Sequence, residues 1–210
     1  MRLKTILNQC LDFKHFTIGD SKFNESKKHI EVQLSSRKNS KAICSGCQKP
    51  CPGYDKLPER KFQFIPFWGF HVFFVYAMRR VNCKDCGVKV EMVPWADGKQ
   101  ELTHHYASYL AGWAKEISWK SVSERFRTSW QTVYRAVQTV VAYGLDNRSI
   151  KGVEAIGVDE VQYHKGHTYM TLVYQIDKGC RRLLWVGKDR TKTTMRRFYA
   201  DMWNIDRKFR

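Results

Sequence analysis

Two pairs of cysteines in this chain of 210 residues have the spacing of metal ligands: Cys44 with Cys47, and Cys83 with Cys86. Two intervening residues let both thiolates of a pair turn toward one point, about 2.3 Å from a shared Zn²⁺. A glycine within or just after each pair supplies the backbone freedom that such turns need. Since four thiolates fill a tetrahedral shell, the pattern predicts a structural zinc ion and not a catalytic one.

Other interpretations of the cysteines stay open. The 35 residues between the two pairs exceed the spacing of about 15 to 20 residues in common zinc sites, so this spacer must fold in its own right. Cys51 is a possible substitute ligand, but its spacing from Cys47 is less regular and we leave it outside the set. Cys10 and Cys180 stand alone and are interpreted as small buried apolar side chains. A set of reduced, unrelated cysteines is the alternative.

A second candidate for chemistry is the acidic pair Asp159 and Glu160, which interrupts the apolar alternation of residues 155–177. This alternation, with a turn at Lys165 and Gly166, predicts a β-hairpin. A carboxylate on a buried strand needs a compensating charge, such as a metal ion or a cationic side chain. Because successive residues of a strand face opposite sides of the sheet, the two acids should not share one site. The alternative for Asp159 is a strand-end acid that pairs with a lysine.

The cysteine pairs lie in sequence that is typical of strands. The apolar segment 64–78 is shorter than the roughly 20 residues of a membrane helix and is rich in β-forming residues, so it predicts a β-hairpin. Residues 29–37 alternate apolar and polar side chains, as a half-buried strand does. These patterns predict a β-rich segment over 1–40 and a zinc-ribbon domain over 41–95.

Between the cysteines and the acidic pair, the apolar period changes to that of helices. It predicts one helix from Thr103, a short helix from Trp119 and a longer helix after a tight turn. The last two form a helix-turn-helix pattern, placed at 102–146, whose second helix reads the major groove. Four residues of that helix are predicted to face DNA: Trp130, Gln131, Thr132 and Arg135. An ordinary three-helix packing unit is the alternative.

Local signals predict where the second helix begins and ends. Ser129 precedes it, and its hydroxyl can accept a hydrogen bond from the free amides of the first turn. Gly144 is predicted to end it. Arg127 occupies the tight turn, where a glycine would be easier, so this residue argues against the pattern.

The charge balance indicates the class of partner. The chain has 37 Lys and Arg against 20 Asp and Glu, a formal net charge of +17, and such an excess attracts polyanions such as nucleic acid. A ribosome-like or merely soluble basic protein is the alternative. Because the first residues lack the sustained apolar core of a signal peptide, we expect a cytoplasmic protein with reduced cysteines and no membrane contact.

Taken in order, these features resemble the ISL3 family of bacterial insertion-sequence transposases. The resemblance extends from residue 30 to residue 199 and is most specific in the block 159–169, which reads D-E-x-x-x-x-K-G-H-x-Y. It implies that 152–210 form part of an RNase H-like DDE domain, with Asp159 as the first catalytic carboxylate and Mg²⁺ or Mn²⁺ as the catalytic cofactor. Double-stranded DNA at transposon ends becomes the expected partner, near the bacterial nucleoid, with a homo-oligomer on DNA left open.

The resemblance also implies a second catalytic Asp on a later strand and a Glu on a later helix. After the third predicted strand, the chain offers "DRTKTTMRRFYADMWNIDRKFR". Helical spacing places Asp201 on the polar face of this segment, before any fourth strand, and we reject it as the second carboxylate. We therefore expect a truncated catalytic domain that binds DNA but neither cuts nor joins it.

Together the patterns predict an α+β, multidomain protein with a β-rich zinc ribbon, a helical helix-turn-helix domain and a truncated RNase H-like α/β sheet. The predicted function is that of the N-terminal portion of a transposase. A non-catalytic zinc and helix-turn-helix regulator, or an inhibitor of transposition, is the main alternative. A ribosome- or polymerase-associated zinc module would explain the charge and the cysteines but not the block around Asp159.

Overall fold

A five-stranded mixed sheet dominates the first of two compact units, which ends at Tyr143. The computed structural model describes residues 2–148 and 150–208. The strands of this sheet are β1 (Phe16–Asn24), β2 (His29–Ser36), β5 (Gly53–Phe67), β6 (Phe70–Cys83) and β7 (Gly87–Val90). Their order is β1-β2-β6-β5, with β7 also paired to β6. The β2–β6 pair is parallel and the others are antiparallel.

Shorter elements complete the first unit. A separate two-stranded hairpin is formed by β3 (Ala42–Ile43) and β4 (Pro50–Cys51). The helices are α1 (Leu3–Cys10), α2 (His104–Glu116), α3 (Trp119–Arg125) and α4 (Trp130–Asp146), the last of which begins in this unit. Since β1 and β2 join the same sheet as β5 to β7, the segments predicted as 1–40 and 41–95 share one sheet. The predicted domain boundaries themselves stay a prediction.

The hairpin of β5 and β6 confirms the interpretation of segment 64–78. Alternate residues of β6 face the main core, where Phe74 and Tyr76 are buried. Trp95 is fully buried at the centre of this core. Four aromatic rings surround it in edge-on or tilted orientations, at centroid distances between 4.8 and 5.9 Å: Phe13, Phe16, Phe62 and Tyr76. Such pairs are favourable beyond the area they bury, so this cluster anchors the strands.

The three helices of the middle segment have their own small core, in which Val122 and Val133 are fully buried. Ser129 caps α4 as predicted, because its Oγ accepts from the amide of Thr132 at 3.1 Å. Arg127 has a φ of 48°, so the turn does take the left-handed conformation that glycine adopts more easily. The prediction that Gly144 ends the helix is wrong, since α4 continues to Asp146. An exposed helix tolerates glycine at a cost of about 1 kcal/mol.

The second compact unit begins at Gly144 and contains an antiparallel sheet in the order β10-β9-β8. Its elements are β8 (Ile156–His164), β9 (Thr168–Gln175), β10 (Arg182–Lys188) and α5 (Lys192–Lys208). The hairpin of β8 and β9 is the one that the alternation predicts. However, β8 is an edge strand in this sheet and is exposed along most of its length, so the expected burial of Asp159 is wrong.

The fold class is α+β, as predicted, with mixed and antiparallel sheets and helices in both units. The RNase H-like assignment of the second unit stays a prediction. Within residues 2–148 and 150–208, no helix is both long enough and apolar enough to cross a bilayer.

Candidate metal centre and nucleic-acid interface

Two turns bring the four paired cysteines together. Cys44 and Cys47 lie in the turn between β3 and β4, while Cys83 ends β6 and Cys86 precedes β7. All four sulfur atoms lie within 4.8 Å of one another, and those of Cys47 and Cys83 are 3.5 Å apart. Sulfurs around a tetrahedral zinc ion lie about 3.8 Å apart, because each Zn–S bond is about 2.3 Å long. The cluster is therefore the right size for one metal ion.

Backbone N–H groups favour negative charge on these sulfurs. The amide of Gly46 donates to Sγ of Cys44 at 3.4 Å. Hydrogen bonds from the amides of Cys86 and Asp85 lower the pKa of Cys83 to about 6. In contrast, burial raises the pKa of Cys86 to about 12. Because the thiolate is the form that binds metal, amides that point at sulfur prepare the site for a cation.

The close approach of the two turns depends on Gly46. A Cβ at this position would lie 2.9 Å from Sγ of Cys86 and 3.7 Å from Sγ of Cys44. The first distance is shorter than a real contact, so any side chain would push the two turns apart. Gly46 therefore has a second role besides the conformation of the turn. Because it has no side chain, the sulfur of Cys86 can approach the first cysteine pair.

The remaining cysteines lie outside this group. Cys51 is buried in β4 beside the cluster, and burial raises the pKa of its thiol to about 11. It is not one of the four that converge. Cys180 is half-buried and Cys10 is exposed at the end of α1. The expectation of a buried side chain at Cys10 is wrong, because this residue lies on the outer face of the short helix.

The first turn of α4 presents most of the predicted DNA-facing side chains to solvent. Trp130 is 54% exposed, and Gln131 and Arg135 are also exposed. Thr132 is half-buried, and its hydroxyl lies 2.9 Å from that of Ser129. Thr132 therefore belongs to the N-terminal cap of the helix, and the other three form the accessible surface.

A loop beside α4 adds a positive charge that the sequence patterns did not indicate. The guanidinium of Arg60 donates to the carbonyl oxygens of Gly98 at 3.0 Å and Gln100 at 2.7 Å, which holds the loop against β5. Lys99, within this loop, lines a groove of about 620 Å³ together with Arg135. The sequence alone could not predict where Lys99 lies, because the position of its loop depends on the contacts of Arg60 with residues 38 and 40 positions later.

The two acids of β8 face different sides of the small sheet. Oδ1 of Asp159 accepts from the amide of Glu160 at 2.8 Å, and the Asp159 side chain is exposed. Glu160 lines a groove on the face covered by α5, together with Arg190, Lys192 and Arg196. Three basic side chains thus line the same groove as Glu160, although the described part of the chain shows no direct ion pair for it.

Asp201 has a structural partner on the neighbouring strand. The indole N–H of Trp185, on β10, donates to Oδ2 of Asp201 at 2.9 Å. This contact connects α5 to the sheet, and the rejection of Asp201 as a catalytic group stays a prediction. Among the described residues, the four cysteines form the one group of three or more side chains that could hold a metal ion. Asp159 is therefore not gathered with two further ligands.

Comparisons with known proteins show what the chain is similar to. The family model for the ISL3-type DDE domain, described as a transposase, matches residues 156–208, from β8 to α5. The chain is 25% identical over 161 residues to the transposase for insertion sequence element IS1001 of Bordetella parapertussis, which covers 76% of this chain and 39% of that protein. It is 28% identical over 193 residues to the transposase for insertion sequence element IS1557 of Mycobacterium tuberculosis, covering 89% and 43%.

By these matches, the chain is similar to transposases of insertion sequences. The resemblance to the ISL3 family is confirmed for residues 156–208, which contain the block 159–169. The chain spans about two fifths of the length of these curated relatives, 39% and 43% respectively. No solved structure matches it.

Proposed function

We propose that the first unit recognises DNA at the ends of an insertion sequence and that the second unit contributes the first carboxylate of a DDE site. The observation that carries DNA recognition is the exposed first turn of α4, in a chain with a formal net charge of +17. Here the N-terminal residues of α4 enter the major groove, where base edges carry the sequence. The similarity to insertion-sequence transposases supports this assignment.

Each side chain at this surface has a role in the proposal. Arg135 lies about one and a half turns into α4 and reaches base edges or phosphates along the groove. Trp130 and Gln131 contact the DNA at the helix start, while Thr132 acts through the cap that fixes the first turn. Lys99 contacts phosphate from the adjacent loop, which Arg60 holds in place. Phosphate contacts of this kind set the position of the protein, and base contacts set its specificity.

The four converging cysteines fit a structural zinc ion. Three observations agree with a tetrahedral thiolate site: the distances between the sulfurs, the amide that donates to Cys44, and the absence of a side chain at Gly46 beside the Cys86 sulfur. A bound zinc ion supplies a cross-link between the β3–β4 hairpin and the end of β6, and four thiolates leave no position open for a substrate. Its proposed effect on DNA binding is therefore indirect, through the stability of the first unit.

The second unit supports a catalytic role for Asp159 within a larger site. An antiparallel sheet of three sequential strands followed by a helix is compatible with the start of an RNase H-like domain. In such domains two Mg²⁺ or Mn²⁺ ions stabilise the entering and leaving oxygens of phosphodiester transfer. The described residues do not fit both ions by themselves, because Asp159 is not gathered with two further ligands. No catalytic step is assigned to this polypeptide alone.

Replacing Arg135 with alanine is expected to weaken binding to end-containing DNA by roughly 1 to 3 kcal/mol if the guanidinium reaches a base edge. If the guanidinium contacts only phosphate, affinity for specific and nonspecific DNA should fall alike. The slope of log affinity against log salt concentration should then become shallower by about 0.9, the value for one lost phosphate contact. Fluorescence anisotropy with end-containing and scrambled duplexes at several salt concentrations distinguishes the two results. Lys115→Ala, which removes an exposed positive charge from α2, is the matched control. Unchanged affinity of Arg135→Ala for both duplexes would remove this face of α4 from the interface.

The polypeptide of residues 1–210 is expected to bind end-containing DNA without nicking or joining it in Mg²⁺ or Mn²⁺. The reason is that one carboxylate cannot position two divalent ions for in-line attack. Gel analysis of end-labelled DNA after incubation with purified protein measures this, with Asp159→Ala as the control. Specific nicking that disappears in Asp159→Ala would refute the expectation and would mean that another carboxylate, or a second copy, completes the site.

A non-catalytic role as a regulator or inhibitor of transposition is the second candidate. The observation that favours it is that the first unit has its own aromatic core and its own helical core, independent of Asp159. A protein that occupies transposon ends would then reduce cleavage by an intact relative, which a mixing experiment measures. A position near the nucleoid in the cytoplasm, and assembly of several copies on DNA, are parts of the proposal that both candidate functions share.

A further inference from the structure

The tip of the β5–β6 hairpin presents an unusually exposed tryptophan. Trp68 and Gly69 form the two-residue connection between the strands. Phe67 and Phe70, which flank this connection, form the last residue pair of the β5–β6 ladder. The side chain of Trp68 is 85% exposed, the largest value among the exposed large apolar residues of the described chain. It therefore makes almost no contribution to the core, and its size needs another explanation.

The turn itself does not explain this residue. Trp68 has a φ of 51° and Gly69 a φ of 79°, so both central residues adopt the left-handed conformation of a type I′ turn. Asparagine followed by glycine is the favoured pair for this turn, because bulky side chains adopt positive φ at a conformational cost. A tryptophan held at such a cost, with its ring in solvent, points to a role outside the fold.

The indole is held as a platform with one open face. The ring of Phe67 stacks on it at a centroid distance of 4.5 Å and an interplanar angle of 29°. Phe67 is itself half-buried at the end of β5 and packs against the main core. This backing restricts the orientation of the indole, and the high exposure of Trp68 leaves its other face free. A flat, fixed aromatic face is suited to stacking on another planar ring.

Positive charges lie at the same end of the sheet. Because β2 runs parallel to β6 with His29 opposite His71, the turn before β2 lies beside the turn before β6. The first of these turns carries Lys27 and Lys28, both exposed, with Glu25 as its acidic residue. The patch formed by these two turns thus combines an open aromatic face with a positive charge.

The helices of the first unit pack close to this hairpin. Ile65, three residues before Trp68 on β5, packs against the core formed by α2, α3 and α4. In agreement with this, burial and then the positive charge of Arg127 lower the pKa of His71. The tip of the hairpin is therefore near the proposed DNA-binding helices and belongs to the same compact unit. DNA that contacts α3 and α4 has a short path to the hairpin tip.

We propose that Trp68 stacks on an unpaired base of DNA while Lys27 and Lys28 contact the adjacent phosphates. The inference rests on the proposed function and adds to it a preference for DNA whose bases are locally unstacked. A nucleobase matches the patch because it offers a planar π-face together with a negatively charged backbone. Paired bases within an intact duplex do not expose that face, so the contact requires an opened step or a single-stranded segment.

Trp68→Asn is the decisive variant, because asparagine suits the first position of this turn better than tryptophan does. The hairpin should fold at least as well, and thermal unfolding followed by circular dichroism checks this. Affinity is measured by anisotropy for an intact end-containing duplex and for the same duplex with three unpaired thymines. We expect the parent chain to prefer the second DNA and Trp68→Asn to lose about tenfold in affinity for it, as for the loss of one base–aromatic stack. Affinity for the intact duplex should stay the same.

Tyr54→Asn is the matched control, since Tyr54 is a 59% exposed aromatic residue near the opposite end of β5. It should leave both affinities unchanged. If the parent chain binds both DNAs and Trp68→Asn binds them equally well, the stacking proposal is overturned while the proposed function stands. If the parent chain binds neither DNA, the proposed function fails and the stacking proposal fails with it. A variant that melts earlier and loses affinity for both DNAs would assign Trp68 a structural role and would also overturn the proposal.

Discussion

A Cys83→Ser variant is expected to purify without zinc, whereas the parent chain should carry about one zinc ion per chain. Cys83 ends β6, and its sulfur lies 3.5 Å from that of Cys47 in the other turn. A serine hydroxyl is a poor ligand for zinc, and three thiolates bind the ion much more weakly than four do. Because metal binding and local folding are coupled, the β3–β4 hairpin should lose its ordered contacts with β6 at the same time. Metal analysis of the purified protein gives the stoichiometry, and limited proteolysis reports on the hairpin.

Cys51→Ser is the control that makes this test specific. Cys51 is buried in the same hairpin and lies beside the cluster, yet it is not one of the four converging sulfurs. The variant should retain about one zinc ion per chain. Retention of zinc by Cys83→Ser, together with its loss in Cys51→Ser, would show that Cys51 replaces Cys83 as a ligand. Retention by both variants would refute a four-cysteine zinc site.

Local sequence signals predicted the elements that need only near neighbours. The two C-x-x-C turns, the hairpin through Trp68 and the cap at Ser129 are each determined within a few residues, and all three are present. The convergence of Cys47 with Cys83 across 36 residues was also predictable. This convergence follows from the ligand types, because one tetrahedral zinc ion needs the thiolates of both pairs.

Features that depend on a neighbouring element could not be predicted in the same way. The alternation around Asp159 indicates one buried face, but the burial of β8 depends on what lies beside it, and in this sheet it is an edge. Likewise, the spacing of α4 predicted which side chains point outward but not that the Thr132 hydroxyl bonds to Ser129. The position of Lys99 depends on Arg60, which lies 38 residues before Gly98. None of these contacts leaves a periodic signal.

The second large effect is expected at a buried ion pair between Arg79 and Glu91, which leaves no periodic signal in the sequence. Arg79 lies on β6 and Glu91 follows β7; the carboxylate is fully buried and the guanidinium is 14% exposed. One oxygen of Glu91 accepts from Nε and Nη2 of Arg79 at 2.9 and 2.7 Å. The other accepts from the hydroxyl of Tyr76 and the amide of Arg79, both at 2.7 Å. Nη1 of Arg79 also donates to the carbonyl of Ser40 at 3.0 Å, which ties β6 to the chain ahead of β3.

Arg79→Leu should therefore reduce the free energy of unfolding by about 3 to 5 kcal/mol, because it leaves the Glu91 carboxylate buried without its counter-ion. Replacing both residues, as in Arg79→Leu with Glu91→Leu, should restore much of this loss, since an apolar pair removes the uncompensated charge. Urea denaturation at pH 7 measures each change, provided that the slope of unfolding free energy with urea concentration stays the same.

Arg80, the next residue on β6, is the control for the effect of burial on the Arg79 ion pair. Arg80 points to the opposite face of β6 and forms a two-point ion pair with Asp55, but both partners are substantially exposed. Like Arg79, it donates to one carboxylate through Nε and Nη2, but this pair is exposed and Arg80 has no bond equivalent to the one between Arg79 and Ser40. An exposed pair contributes little because water replaces the lost contacts, and Arg80→Leu should lie close to the parent chain in the same urea titration. Similar losses in the two variants would show that the need for Arg79 arises from contacts of the arginine itself and not from the buried charge of Glu91.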